Sequence, residues 1–161
     1  MPNKKGNAPT GAGLYTAEQR ARRDATVWTT VQAVLAPLQF LVFLVSLGLV
    51  IRYMATGEGY AAATISIVVK TGVLYAIMVT GAIWEKVVFG QYLLAPAFFW
   101  EDVFSFVVIA LHTAYLGALA TGASIETQLA LALAAYATYA INATQFLLKL
   151  RAARLQAEAP A

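Results

Sequence analysis

Four long apolar runs dominate this chain, and polar residues are confined to their ends and to a few isolated positions inside them. Ala25 to Ile51 carries no charge, Tyr60 to Trp84 is broken only by Lys70, Val103 to Ile125 carries His112, and Thr127 to Leu148 carries Asn142 and Gln145. At about 1.5 Å of rise per residue, each run is long enough as a helix to cross a hydrocarbon core about 30 Å thick. The pattern predicts an all-α integral membrane four-helix bundle. Ahead of the first span, Thr16-Ala17-Glu18-Gln19 has the form of a capping box, which predicts a short helix with Arg20, Arg22 and Arg23 against lipid headgroups. Residues 1–13, rich in Gly, Pro, Asn and Lys, are expected to be a disordered tail, as are 156–161, leaving one four-helix domain over 14–155.

The connections between spans differ. Arg52 to Gly59 and Thr121 to Glu126 are short turns, whereas Val87 to Trp100 is apolar, holds Gly90 and Pro96, and ends in three aromatics. Too short to cross and too apolar for an ordinary loop, it is expected to form an interfacial or re-entrant segment between helices 2 and 3, serving as a lid. Four spans place both termini on one side. Lys4, Lys5, Arg20, Arg22, Arg23, Lys149, Arg151 and Arg154 gather there, so both termini are expected to be cytoplasmic.

Composition narrows the picture. Of 161 residues 60% are hydrophobic and only 12% charged, with a mean hydropathy of +0.68, more apolar surface than a water-soluble domain of this length can hide. The net charge of +3 lies at the chain ends, which suits anionic lipid and membrane topology; no basic patch with interleaved aromatics points to nucleic acid. The absence of cysteine excludes disulfides, thiolate metal sites and a cysteine nucleophile, and a single histidine excludes a polyhistidine metal cage. The first 24 residues lack the apolar core and cleavage site of a signal peptide.

The few polar positions are where chemistry would sit, because charge in or beside a bilayer is costly. Lys70 and His112 fall near the middle of their spans, at the level of Gln39 and Thr138. Glu85, Glu101 and Asp102 bracket the apolar connection at the inner membrane surface. Glu101, Ser105, Val108 and His112 share one helical face, with about 16 Å of rise between its ends. Gln32, Gln39 and Ser46 form a matching stripe on the first span, and Ala130 and Ala134 offer small surfaces for helix contact on the fourth. Plainer roles stand beside these. The amides serve as interhelical hydrogen-bond partners. His112 is a satisfied bundle histidine, Lys70 pairs with a carbonyl or a carboxylate, and acidic residues at 101 and 102 suit a helix N-terminus. Trp84, Tyr92, Phe98, Phe99 and Trp100 suit an interfacial aromatic belt and equally a flat aromatic ligand. On these grounds alone an enzyme for a lipophilic substrate, a pigment or quinone binder, and a small proton-coupled carrier all remain open.

Several segments resemble one family: Leu14-Tyr15-Thr16, Arg22-Arg23-Asp24-Ala25-Thr26, Leu35-Ala36-Pro37-Leu38-Gln39-Phe40, Ala82-Ile83-Trp84-Glu85-Lys86-Val87-Val88-Phe89-Gly90-Gln91-Tyr92, Ala95-Pro96-Ala97-Phe98-Phe99-Trp100-Glu101-Asp102 and Leu111-His112-Thr113-Ala114-Tyr115. They resemble the vinyl bacteriochlorophyllide hydratases of phototrophic bacteria, and the likeness runs from about Leu14 to Leu155. It implies a hydro-lyase that adds water to the 3-vinyl group of chlorophyllide a, or of the 3-vinyl bacteriochlorophyllide, giving the 1-hydroxyethyl derivative on the route to bacteriochlorophyll a. It also implies a multi-pass protein of the bacterial inner, intracytoplasmic photosynthetic membrane. Its partners would be the tetrapyrrole, water, the lipid bilayer and other enzymes of that pathway. No cofactor is expected, the magnesium belonging to the substrate. The alternative is a non-enzymatic pigment carrier or photosystem assembly factor.

Such a hydration needs a proton for the terminal vinyl carbon and water at the inner one, hence a general acid and a base or orienter. The candidates are Glu85, Glu101 and Asp102, with Glu85 or Glu101 as acid in an apolar rim and Asp102 as ionised partner. His112 is expected to ligate the substrate's magnesium axially, provided the ring stands along the bundle axis. Trp84, Lys86, Tyr92, Phe99 and Trp100 are the expected substrate-binding residues, with Lys86, Lys149 or Arg151 meeting the propionate.

Overall fold

A computed structural model of the chain describes residues 13–158, all helix and turn. The tail expected over 1–13 falls outside the described residues but for Gly13, and residues 156–158 continue the last helix. The short first helix α1 is Ala17–Ala25, and the capping box forms: Gln19 N–H donates to Thr16 Oγ1 while the Gln19 side chain accepts from Thr16 N–H. The helices α2 (Val27–Thr56), α3 (Tyr60–Phe89), α4 (Phe99–Ala120) and α5 (Ile125–Glu158) follow, with a 3-10 turn at Pro96–Phe98 leading into α4. These four are long and apolar enough to cross a bilayer. Their outward faces carry Val34, Leu41, Val69, Phe106 and Leu147, the exposed apolar surface that lipid covers.

The helices form two hairpins. Helices α2 and α3 pack along their length, as do α4 and α5, and the two pairs meet more sparingly through α3 against α4. Glycines in the left-handed region, Gly57 and Gly59, make the α2–α3 turn compact. Inside a hairpin the polar ties include Gln32 of the expected stripe, which donates to Thr80 (2.6 Å), and also Trp84 Nε1, which donates to Thr29 (2.9 Å), and Asn142, which reaches α4. Between hairpins Ser46 bonds Tyr136, Tyr60 donates to Gln128, and Tyr75 bonds Thr113. Small residues do mediate close packing on α5, but they are Ala132 and Ala135, while Ala130 and Ala134 face outward.

Tyr15, just before α1, packs with Val88, Phe98, Phe89 and Ala153, so the described chain ends meet at one end of the bundle. The expected re-entrant lid is much reduced. Helix α3 continues through Phe89 and α4 begins at Phe99, so only residues 90–95 and one 3-10 turn join them. The two ends of the apolar stretch, Val87–Phe89 and Phe99–Trp100, belong to α3 and α4.

Candidate active site

The end of the bundle that carries the chain termini also holds all three candidate carboxylates, and none lies at the surface. Glu85 is 4% exposed, Asp102 3% and Glu101 6%. The chain turns there because Gly90, at φ 88°, caps α3 in the left-handed region and donates its N–H to Lys86 O. The returning segment then delivers two backbone amides to two carboxyls. Leu94 N–H donates to Asp102 Oδ2 at 2.7 Å, and Ala95 N–H to Glu85 Oε2 at 3.3 Å. Leu94 sits at φ 61°, a strained position for a branched side chain, held by its bond to Asp102.

Glu85, from the end of α3, and Asp102, from the first turn of α4, hydrogen-bond each other. Two carboxyl groups within hydrogen-bonding reach repel one another when both are charged, an arrangement that favours one shared proton. Glu101 is separate. Its Oε2 accepts from Lys149 Nζ at 3.0 Å, and its backbone carbonyl accepts from Asn142 Nδ2 at 2.9 Å.

The aromatics divide into two groups. Trp84 belongs to an internal layer with Phe89, Phe98 and Phe146: its ring lies 5.7 Å from Phe98, and its N–H is used by Thr29. Tyr92 (62% exposed), Trp100 (66%) and Phe99 face outward, and the rings of Phe99 and Trp100 meet edge-on at 5.4 Å. Lys86 Nζ lies 5.4 Å from the centroid of the Tyr92 ring and bonds Gly90 O.

At mid-span the structure pairs the two groups that the sequence left separate. His112 and Lys70 are fully buried, and Lys70 Nζ lies 3.0 Å from His112 Nε2. His112 Nδ1 donates to Val108 O at 2.7 Å, which leaves Nε2 as the acceptor for Lys70. The rings of Tyr139, Tyr136 and Phe43 surround the lysine amine, with Tyr139 nearest at 3.9 Å.

The model of the family described as 2-vinyl bacteriochlorophyllide hydratase (BCHF) matches residues 15–152, nearly all of the described bundle. The chain belongs to that family. Similar proteins include the 2-vinyl bacteriochlorophyllide hydratase of Cereibacter sphaeroides, 77% identical over 91% of this chain and 91% of the relative. Another is the 2-vinyl bacteriochlorophyllide hydratase of Rhodobacter capsulatus, 73% identical over 98% of this chain and 91% of the relative. No solved structure matches. The chain is therefore a hydratase, an enzyme of the hydro-lyase class, with membrane-spanning helices.

Within this hydratase the structure sorts the expected site residues. Glu85 and Asp102 come together, Glu101 is held apart by Lys149, and Lys86, Tyr92, Phe99 and Trp100 remain accessible. Both ring nitrogens of His112 are engaged and its side chain is enclosed, so a bond to magnesium would require the contact with Lys70 to open. Trp84 is likewise committed to internal packing. Lys149, expected to meet a propionate, is bound to Glu101 and to Ala97 O. Among the described residues no cluster of three or more His, Asp or Glu side chains is grouped to hold a metal ion. The backbone amides of Leu94 and Ala95 went unread in the sequence, because a main-chain donor has no residue signature.

Proposed function

We propose that this hydratase adds water to the vinyl group of a chlorophyllide-type tetrapyrrole, with Glu85 as general acid and Asp102 as its ionised partner. The observation that carries the assignment is the buried Glu85–Asp102 pair, held by the Leu94 and Ala95 amides of the segment that also carries the exposed Tyr92, Phe99 and Trp100. A carboxyl pair sharing one proton holds both an acid and a base at a single point.

The steps balance. Glu85 gives its proton to the terminal vinyl carbon, and the electron pair of the double bond forms the new carbon–hydrogen bond. Positive charge develops on the inner carbon, where conjugation with the macrocycle and the Asp102 carboxylate stabilise it. Water bonds to that carbon and releases a proton to Asp102. The pair again holds one proton, and transfer from Asp102 to Glu85 restores the starting state. Carbon gains one water and no electrons leave, so this route calls for no redox cofactor. The flat ring lies against the exposed aromatics from the lipid side, and Lys86 or Arg151 meets the propionate, both being exposed at this end. The Lys and Arg residues near both termini support a cytoplasmic location for this end, in the inner membrane of a phototrophic cell.

The test uses membranes of a non-phototrophic host producing this chain, incubated with chlorophyllide a and with the 3-vinyl bacteriochlorophyllide. The expected result is a mass gain of one water and a blue shift of the long-wavelength band, because the vinyl group leaves the conjugated system. Pigment that binds folded protein and is recovered unchanged would instead identify a carrier.

A further inference from the structure

The last helix supplies a cation whose role the hydration scheme does not use. Lys149, on α5, is half-buried, and its Nζ lies 3.0 Å from Glu101 Oε2, 2.6 Å from Ala97 O and 5.7 Å from the Phe98 ring centroid. It therefore ties α5 to the 3-10 turn and to the first turn of α4 together. Asn142, on the same helix face one heptad earlier, donates to the Glu101 carbonyl at 2.9 Å. Glu101 is thus gripped at both its side chain and its backbone, and the next residue is Asp102. No other residue of α4 is held in this way from α5 among the described bonds.

We infer that Lys149 is a positioning residue of the hydration reaction: acting through Glu101, it aligns Asp102 with Glu85 and cancels the one neighbouring negative charge that would disturb their shared proton. This rests on the carboxyl-pair reading above. The charge inventory supports it. The charged groups that bear on Asp102 among the described residues are Glu85 from α3, Glu101 from its own helix and Lys149 from α5. With Lys149 and Glu101 paired, the remaining cluster holds one proton and one negative charge, the state the mechanism requires. A structural clamp with no electrostatic role would need shape alone; this one joins a buried anion to a half-exposed cation beside the reacting pair.

The signs follow from Coulomb's law. Loss of the cation leaves Glu101 uncompensated beside Asp102, so the carboxyl pair holds protons more firmly and both limbs of the pH–rate profile move to higher pH. Loss of the anion leaves Lys149 uncompensated and moves both limbs to lower pH. Loss of both restores near neutrality.

The experiment measures pH–rate profiles for chlorophyllide a hydration in host membranes for Lys149→Met, Lys149→Arg, Glu101→Gln and the Glu101→Gln/Lys149→Met double variant, normalised to folded protein. Lys149→Met is expected to lower turnover about 10- to 100-fold at neutral pH through misplacement of Asp102, with its profile displaced upward. Glu101→Gln should be displaced downward, the double variant should return close to the parent profile, and Lys149→Arg should stay near it. If Lys149→Met does not accumulate as folded protein, the opposed displacement of Glu101→Gln and the return in the double variant decide the matter. Equal losses with unmoved profiles in all four variants would overturn the positioning role. That outcome is distinct from failure of the catalytic pair, which would appear as undiminished turnover in Glu85→Gln and Asp102→Asn.

Discussion

Two buried polar clusters share this bundle, and they are built on opposite plans. At mid-span Lys70 and His112 satisfy one another inside a wall of Phe43, Tyr136 and Tyr139, with both imidazole nitrogens engaged and no exposed surface. At the bundle's end Lys149 pairs with Glu101, the buried carboxyls of Glu85 and Asp102 lie together, and exposed aromatics occupy the neighbouring chain positions. The first arrangement is closed in geometry; on the proposed mechanism the second keeps a proton and a charge in reserve, a few residues from exposed aromatics. Buried polar groups that are fully satisfied join helices, whereas an unbalanced group near exposed aromatics is fit for reaction.

The sharpest way to break this contrast is to remove each cluster's chemistry in turn. Glu85→Gln or Asp102→Asn should lower hydration by about 10²- to 10⁴-fold, as loss of a general acid or its partner does. Thermal unfolding in detergent should change little, and a variant of either kind with near-normal turnover would end the carboxyl mechanism. His112→Leu should do the reverse. It strands the Lys70 amine in an apolar wall and should cost about 1–3 kcal/mol of stability, while turnover per folded molecule stays within a few-fold. The Lys70→Met/His112→Leu double variant should recover much of that loss, because both partners are then apolar. A large fall in turnover without unfolding would give His112 a direct part in the reaction.

Smaller effects sharpen the boundary between the regions. Leu94→Gly relieves a left-handed backbone worth about 1–2 kcal/mol, partly offset by the greater freedom of glycine when unfolded. Stability should therefore rise slightly or hold, and turnover should fall if Leu94 N–H needs its present rigidity to hold Asp102. The smallest change is expected from Gln39→Leu. Gln39 is buried, and its Oε1 has no hydrogen-bond partner among the described residues. Its replacement should leave stability unchanged or raise it by up to about 1 kcal/mol, measured as the unfolding midpoint.

Much of the architecture was legible in the chain, for reasons that particular residues make clear. Apolar run length reported the four spans, Thr16 and Gln19 reported the cap, and helical spacing correctly put Glu101, Ser105, Val108 and His112 on one inward face. What escaped depended on register between helices. Nothing in the separation of Lys70 and His112 along the chain reveals that their atoms meet, and nothing near Lys149 announces Glu101. The stretch from 87 to 100 misled because an apolar helix end and an apolar interfacial loop have the same composition. The division of Trp84 from Trp100, one packed inside and one facing out, likewise turns on the orientation of α3 and α4.

The position of Lys149 in the chain has a consequence for biogenesis. Glu85 and Asp102 are made and inserted early, but the side chain that steadies them arrives on the final helix. A ribosome-bound chain halted after α4 would own both members of the pair, yet lack Lys149 and Asn142 that hold the first turn of α4 in place. Competence is thereby tied to α5: a copy without that helix would keep Glu85 and Asp102 but lose the two side chains that hold Glu101.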